Sequence, residues 1–173
     1  MMKSYVLPVL VLSLICMAMT GALALVNNVT GPIIAQASRE RAEVAMMNII
    51  PEATGFELVQ SDLFPAAVYE VYRTTNNVGY VFMVATSGYG GIFRIICGID
   101  GEGRIISSSV LPPHTETPGL GTSVFEQASA YVGLGSSLEG VNVVTGSTIT
   151  FNAYRRALQD AFAAYYIVRG DGQ

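Results

Sequence analysis

The chain has 173 residues, 51% of them apolar and only 13% charged, and nine Lys and Arg against thirteen Asp and Glu leave a net charge of −4. That balance provides no basic surface for a phosphate backbone, so nucleic-acid binding is excluded. Two Cys, one His and no Trp are too few for a Cys/His metal centre or a disulfide framework. A soluble domain carries about 25% charged residues, so the chain is either membrane-bound or unusually dry.

Residues 5–26 run for 22 positions without a charge. At about 1.5 Å per residue such a helix reaches about 33 Å, enough for a hydrocarbon core of about 30 Å. Ala22 and Ala24 resemble a signal-cleavage site and Lys3 a minimal basic leader. A signal core, however, runs only about 7–15 residues, which favours a retained anchor. Pro8 sits near the start of the helix, where it costs little. Lys3 precedes the span and the first charges after it are Arg39, Glu40 and Arg41. Positive-inside then puts the N-terminus in the cytoplasm, with residues 1–26 as a single-pass cell-membrane anchor in lipid and 27–173 as an extracytoplasmic domain. Cys16, in the span, and Cys97, in a strand, read as unpaired, buried small hydrophobes.

Residues 27–30, followed by Gly31 and Pro32, read as a break, and 33–50 as a membrane-proximal helix ended by Pro51. The period then changes. Residues 67–74 alternate, with Val68, Glu70 and Tyr72 on one face and Tyr69, Val71 and Arg73 on the other. A turn at Asn76 and Asn77 leads to a strand over 78–86. Strands over 92–99 and 104–111 are joined by Asp100, Gly101, Glu102 and Gly103, a hairpin signal. A short helix over 122–132, a short strand over 142–144 and a closing helix over 151–168 follow. In the closing helix Phe151, Tyr154, Leu158, Ala161, Phe162 and Tyr165 form one stripe. The order predicts an α+β fold, a mainly antiparallel four-strand meander with flanking helices, preceded by one transmembrane helix. Nine of the 18 glycines fall between residues 79 and 121. Close approach to a flat or anionic ligand and plain loop strain both fit that clustering.

Three stretches carry chemistry. In 143–152, Thr145, Gly146, Ser147, Thr148 and Thr150 lie between the short strand and the closing helix. Free N–H groups and the positive end of the helix dipole make such a junction an anion site, with phosphate the natural occupant. Capping of the helix by Thr148 or Thr150 explains the same hydroxyls. In 114–121, His114 stands near Glu116, but no G-x-S-x-G elbow and no third group to orient the His accompany them. A hydrolase is therefore not supported, and no catalytic or metal-ligating set is assigned. Pro118, Gly119, Leu120 and Gly121 instead suggest a tight turn that offers backbone N–H groups and one apolar side chain to a ring system. The third stretch, Gly88, Tyr89, Gly90 and Gly91, is a Gly-rich turn between strands.

In this order the three stretches resemble the FMN-binding domain family that includes the G subunit of the Rnf ferredoxin:NAD oxidoreductase and the C subunit of the sodium-translocating NADH:quinone reductase. The likeness covers most of residues 5–160: the N-terminal span, Gly88–Gly91, the turn after Gly98, Ile99 and Asp100, the loop Glu116–Gly121, and Thr145–Thr148. The family pattern at the last site is Ser/Thr-Gly-Ala-Thr, and this chain departs from it in having Ser147 where Ala is usual.

The resemblance implies a covalent flavin. By position, Thr148 is the residue joined through its hydroxyl to the FMN phosphate, transferred from FAD by a dedicated flavin transferase, with Thr145, Gly146 and Ser147 around it. Glu116, Thr117, Gly119, Leu120 and Gly121 are then expected to line the isoalloxazine. His114 is expected either to hydrogen-bond the ring or to cap the loop. The implied function is an electron carrier with no substrate of its own, working with the membrane, iron–sulfur and flavin subunits of the Rnf complex. The G-subunit reading is favoured over the quinone-reductase one because the exported part is compact. A ligand-binding module tethered to the membrane and a separate extracytoplasmic flavoprotein reductase are the other readings.

Overall fold

A computed structural model describes residues 3–170 of the chain, which divides into two units, 1–42 and 43–173. The first unit is helical. Helix α1, Lys3–Ile49, includes Pro8–Gly31, 24 residues long and apolar enough to cross a membrane. The expected break at 27–32 does not occur, since Asn27, Gly31 and Pro32 all fall within α1. A proline removes one backbone hydrogen bond, a loss that a helix of 47 residues can absorb, and such residues are tolerated in apolar spans. Cys16 lies exposed on the surface of α1, not buried as expected, whereas Cys97 is buried, and both are free thiols.

The second unit is built on a five-stranded antiparallel sheet in the order β1 (Phe56–Val59), β2 (Val68–Thr74), β3 (Gly79–Ser87), β4 (Ile92–Asp100) and β5 (Ile105–Leu111). The meander is as expected with one strand added. β1 has only four residues, too few for an alternating pattern to stand out, and it exists by pairing with β2. A bulge between Val68 and Glu70 alters the faces read for β2. The extra residue brings Val68 and Val71 onto the same buried side, where strict alternation would separate them.

One face of the sheet is covered by α3, Thr148–Arg169. Its apolar stripe, Phe151, Tyr154, Leu158, Ala161, Phe162 and Tyr165, is buried in one cluster with Phe82, Val84, Phe93, Ile95, Cys97 and Ile99. Tyr154 also shares a 2.8 Å hydrogen bond with Ser108 of β5, so the one polar atom of that ring is satisfied in the core. The opposite face, with Val81, Met83, Ile96 and Gly98, is covered by the end of α1. A Cβ on Gly98 would meet Ile49 and Ile50, and Met46, Ile49 and Ile50 are all buried.

Between β5 and α3 lie α2 (Gly121–Glu126) and a 3-10 turn (Gln127–Tyr131), which together replace the single helix expected over 122–132. The strand expected over 142–144 is absent. Its valines have strand propensity but no neighbouring strand, so the segment is irregular. α3 begins three residues before the apolar stripe, at Thr148; its first residues, Thr148, Ile149 and Thr150, are β-branched and lie outside that stripe, so the helical period does not reveal them.

Candidate functional site

Three chain segments meet at the N-terminus of α3: the β3–β4 turn, the loop from His114 to Gly121, and residues 146–150. They enclose a cleft of about 480 Å³, within the range of about 300–1,000 Å³ usual for ligand sites. Glu116, Thr117, Leu120 and Gly121 line it from the loop, and Gly146, Ser147 and Thr148 from the helix end. Tyr89, Ile149 and Thr150 complete the lining.

Glu116 ties the three segments together. It is 5% exposed, and both carboxylate oxygens are used within the protein. Oε1 accepts the Gly90 N–H at 3.1 Å and Oε2 accepts the Thr150 hydroxyl at 3.0 Å. Thr150 Oγ1 in turn accepts the Tyr89 N–H at 3.3 Å. The loop is fixed a second time by Thr115, whose hydroxyl donates to the Gly90 carbonyl at 2.6 Å. The carboxylate is held between two backbones that lack side chains, since a Cβ on either Gly88 or Gly121 would collide with it. The clustered glycines near the site therefore serve close approach, but the group approached is this chain's own Glu116.

The helix end is open. Ser147 is the N-cap residue, yet it makes no capping hydrogen bond, and there is no acidic residue in the first turn. Its hydroxyl instead donates to the Leu120 carbonyl at 2.6 Å. Capping by Thr148 or Thr150 does not occur either: Thr150 points to Glu116, and Thr148 is exposed with no hydrogen bond from its hydroxyl to another described residue. The first N–H groups of α3 are thus left for a ligand. Gly146, at φ +84°, makes the left-handed turn that brings the chain into this geometry.

Ser147, Thr148 and Thr150 all line the cleft, Ser147 and Thr150 buried with their hydroxyls engaged and Thr148 exposed. Leu120, Ile149 and Tyr89 supply exposed apolar and aromatic surface at 53%, 58% and 75% exposure. Three expected residues stand back from the lining. Thr145 is exposed outside it. The N–H of Gly119 binds the Thr122 hydroxyl, and His114 packs edge-on against Phe125 with ring centres 5.1 Å apart. Tyr89, Ile149 and Thr150 join the lining beyond the residues expected there. Thr150 carries a signal, as one more hydroxyl in the helix-start motif, but its burial depends on a glutamate 34 residues away.

The FMN-binding domain model matches residues 88–163, which contain all three segments. Over 90% of its length the chain is 31% identical to the G subunit of the Na(+)-translocating ferredoxin:NAD(+) oxidoreductase complex of Acetobacterium woodii, covering 89% of that protein. The chain belongs to the G-subunit family of ion-translocating oxidoreductase complexes. Two further members are similar to it. The G subunit of the ion-translocating oxidoreductase complex of Shewanella piezotolerans is 30% identical over 92% of this chain and 88% of the relative. The G subunit of the proton-translocating ferredoxin:NAD(+) oxidoreductase complex of Clostridium ljungdahlii is 24% identical over 87% and 85%. A flavin mononucleotide fits the cleft by its chemistry. The uncapped helix end suits its phosphate, and the apolar side chains suit its ring.

Proposed function

We propose that this protein is the flavin-bearing electron-transfer subunit of a membrane-bound, ion-translocating ferredoxin:NAD oxidoreductase, with FMN held covalently at Thr148. The observation that carries the reading is the open N-terminus of α3, where Thr148 lines the cleft with an exposed hydroxyl that has no hydrogen-bond partner among the described residues. In attachment, the Thr148 hydroxyl oxygen bonds to the flavin-side phosphorus of FAD. The pyrophosphate P–O bond breaks, AMP leaves, and the hydroxyl proton passes to the flavin transferase that catalyses the step.

The charge balance of the cleft supports a diester. None of the described residues that line it is Lys or Arg. A free phosphomonoester, with about two negative charges, is usually met by such side chains. A diester carries one, which backbone N–H groups and the helix dipole can stabilise. Leu120, Ile149 and Tyr89 are positioned to exclude water from the ring. Bound FMN supplies one- and two-electron redox chemistry, and a covalent bond retains it where no FMN pool would replace it. Orientation is part of the proposal: residues 1–26 anchor the chain with the N-terminus in the cytoplasm, and 27–173 lie outside, alongside the membrane, iron–sulfur and flavin subunits of the complex.

Full-length protein co-expressed with a flavin transferase is expected to fluoresce on a denaturing gel and to gain the mass of FMN, less water, on the peptide containing Thr148. Thr148→Ala is expected to lose both signals. Wild-type protein without fluorescence would overturn the covalent reading. Co-purification with iron–sulfur subunits and ferredoxin-dependent NAD reduction are expected of the complex, and NADH:quinone activity in their place would overturn its assignment.

A further inference from the structure

We infer that Glu116 sets the reduction potential of the flavin: its buried carboxylate lowers that potential by the repulsion of its charge, without serving as a ligand of the ring. The inference rests on the reading above, that the cleft holds FMN, and adds to it the residue that tunes the bound group.

Among the described residues that line the cleft, Glu116 is the one whose side chain carries a full charge at neutral pH. It is 5% exposed and makes no ion pair with any described residue. What it receives is hydrogen bonds, from the Gly90 N–H on one oxygen and the Thr150 hydroxyl on the other. Donors on both oxygens are what an ionised carboxylate, an acceptor only, requires. These donors are neutral, so they hold the charge in place without cancelling it. A buried charge without a cation is costly, and the chain does without a side chain at both Gly88 and Gly121 to make room for this one. Tying the same segments together needs hydrogen bonds alone, which a neutral glutamine also makes. The charge therefore calls for a reason of its own.

Reduction supplies one. Two electrons from a reduced iron–sulfur or flavin donor, which is thereby oxidised, together with one proton from water, turn the neutral ring system into one with a single negative charge. That charge arises in the cleft that Glu116 borders. A cleft of about 480 Å³ is about 10 Å across, no more than one Debye length at 0.1 M salt, and Leu120, Ile149 and Tyr89 border it with apolar and aromatic surface. Salt does little to screen a repulsion at this range. The open end of α3 acts in the opposite sense, but its partial positive charge is matched by that of the phosphodiester. The reduced form is thus disfavoured relative to the oxidised one, and the flavin becomes a stronger reductant.

Charge and shape are separable at this position. Glu116→Gln removes the charge and keeps the size and two hydrogen-bonding positions, whereas Glu116→Asp keeps the charge. Full-length protein bearing FMN, purified in detergent after co-expression with a flavin transferase, is titrated with dithionite and redox mediators at fixed pH and salt, and the midpoint is read from the flavin absorbance. In Glu116→Gln the equilibrium constant for reduction is expected to rise about tenfold or more, which is about 30 mV for a two-electron couple. Glu116→Asp is expected to stay closer to wild type than to the Gln variant. A wild-type midpoint in Glu116→Gln would overturn the inference. An Asp variant raised as far as Gln would overturn it too, since lost geometry and not lost charge would then be responsible. Thermal unfolding reports whether each variant is folded. Should Glu116→Gln not fold, Thr117→Lys decides, because Thr117 is exposed at the cleft and an ammonium beside the carboxylate is expected to raise the midpoint by a similar factor. An unchanged midpoint in that variant would sink the role of charge in the cleft. Wild-type protein that carries no flavin is instead the failure of the FMN reading, seen before any titration begins.

Discussion

The Ser147 hydroxyl donates to the Leu120 carbonyl at 2.6 Å, and by doing so the N-cap residue of α3 leaves its own helix uncapped. An N-cap serine normally satisfies one of the first N–H groups, a bond whose loss costs about 0.5–2 kcal/mol. Here that stabilisation is given up, and the side chain joins the loop to the helix end instead.

Ser147→Ala is expected to leave Thr148 as the labelled residue. The Leu120 carbonyl keeps a second donor in the Ser123 hydroxyl, so the variant loses one hydrogen bond without orphaning its acceptor. Urea unfolding should show a loss of about 1 kcal/mol, with flavin fluorescence per mole of protein unchanged. A fall in flavin content would give Ser147 a part in attachment beyond holding the loop.

Gly121→Ala introduces a methyl against the Glu116 carboxylate, which is fixed from both sides and cannot withdraw. Overpacking of this kind costs about 1–3 kcal/mol. Gly101→Ala is the matched control, since a Cβ there meets nothing within 4 Å. Melting temperatures of the pair are expected to differ by several degrees, with Gly101→Ala close to wild type.

Cys97 lies fully buried, and burial pushes its thiol up to about 12. In the unfolded chain the thiol ionises near its ordinary value of about 8.5. Between those values the unfolded state holds fewer protons than the folded one, so stability falls as pH rises. The contribution is complete below about pH 8.5 and lost as pH climbs toward 12. Cys97→Ala is expected to flatten this alkaline loss in urea titrations. In the wild-type domain at pH 8, a thiol reagent should label Cys97 only after denaturant is added.

Met46, Ile49 and Ile50 belong to the core of the second unit although Met46 and Ile49 are still in α1. Each buried side chain of this size contributes about 1.5–3 kcal/mol, against a total domain stability of about 5–15 kcal/mol. A chain beginning at Glu43 is therefore expected to unfold cooperatively, whereas one beginning at Pro51 should bind a hydrophobic dye and aggregate. Circular dichroism melts of the two proteins check this.

The elements legible in the sequence were those with enough residues to display a period. β2 to β5 and the stripe from Phe151 to Tyr165 lie close to where alternation and helical spacing put them. What escaped was set by long-range pairing. The four residues of β1 exist as a strand because β2 is beside them, and the valines at 143 and 144 do not form one because nothing is. At the site, the position of Thr148 was legible because the motif carries its neighbours along the chain. The engagement of the Ser147 and Thr150 hydroxyls was not, because their partners, Leu120 and Glu116, lie 27 and 34 residues away.

Those separations bear on when the site comes into being. Glu116 reaches Gly90 across 26 residues and Thr150 across 34, and neither bond can form until the β3–β4 turn and α3 have reached their final places. A nascent or partly folded chain contains every residue of the motif but not the exposed hydroxyl beside an open helix end. The cleft at the start of α3 is therefore a late product of folding, present only in molecules whose domain has been completed.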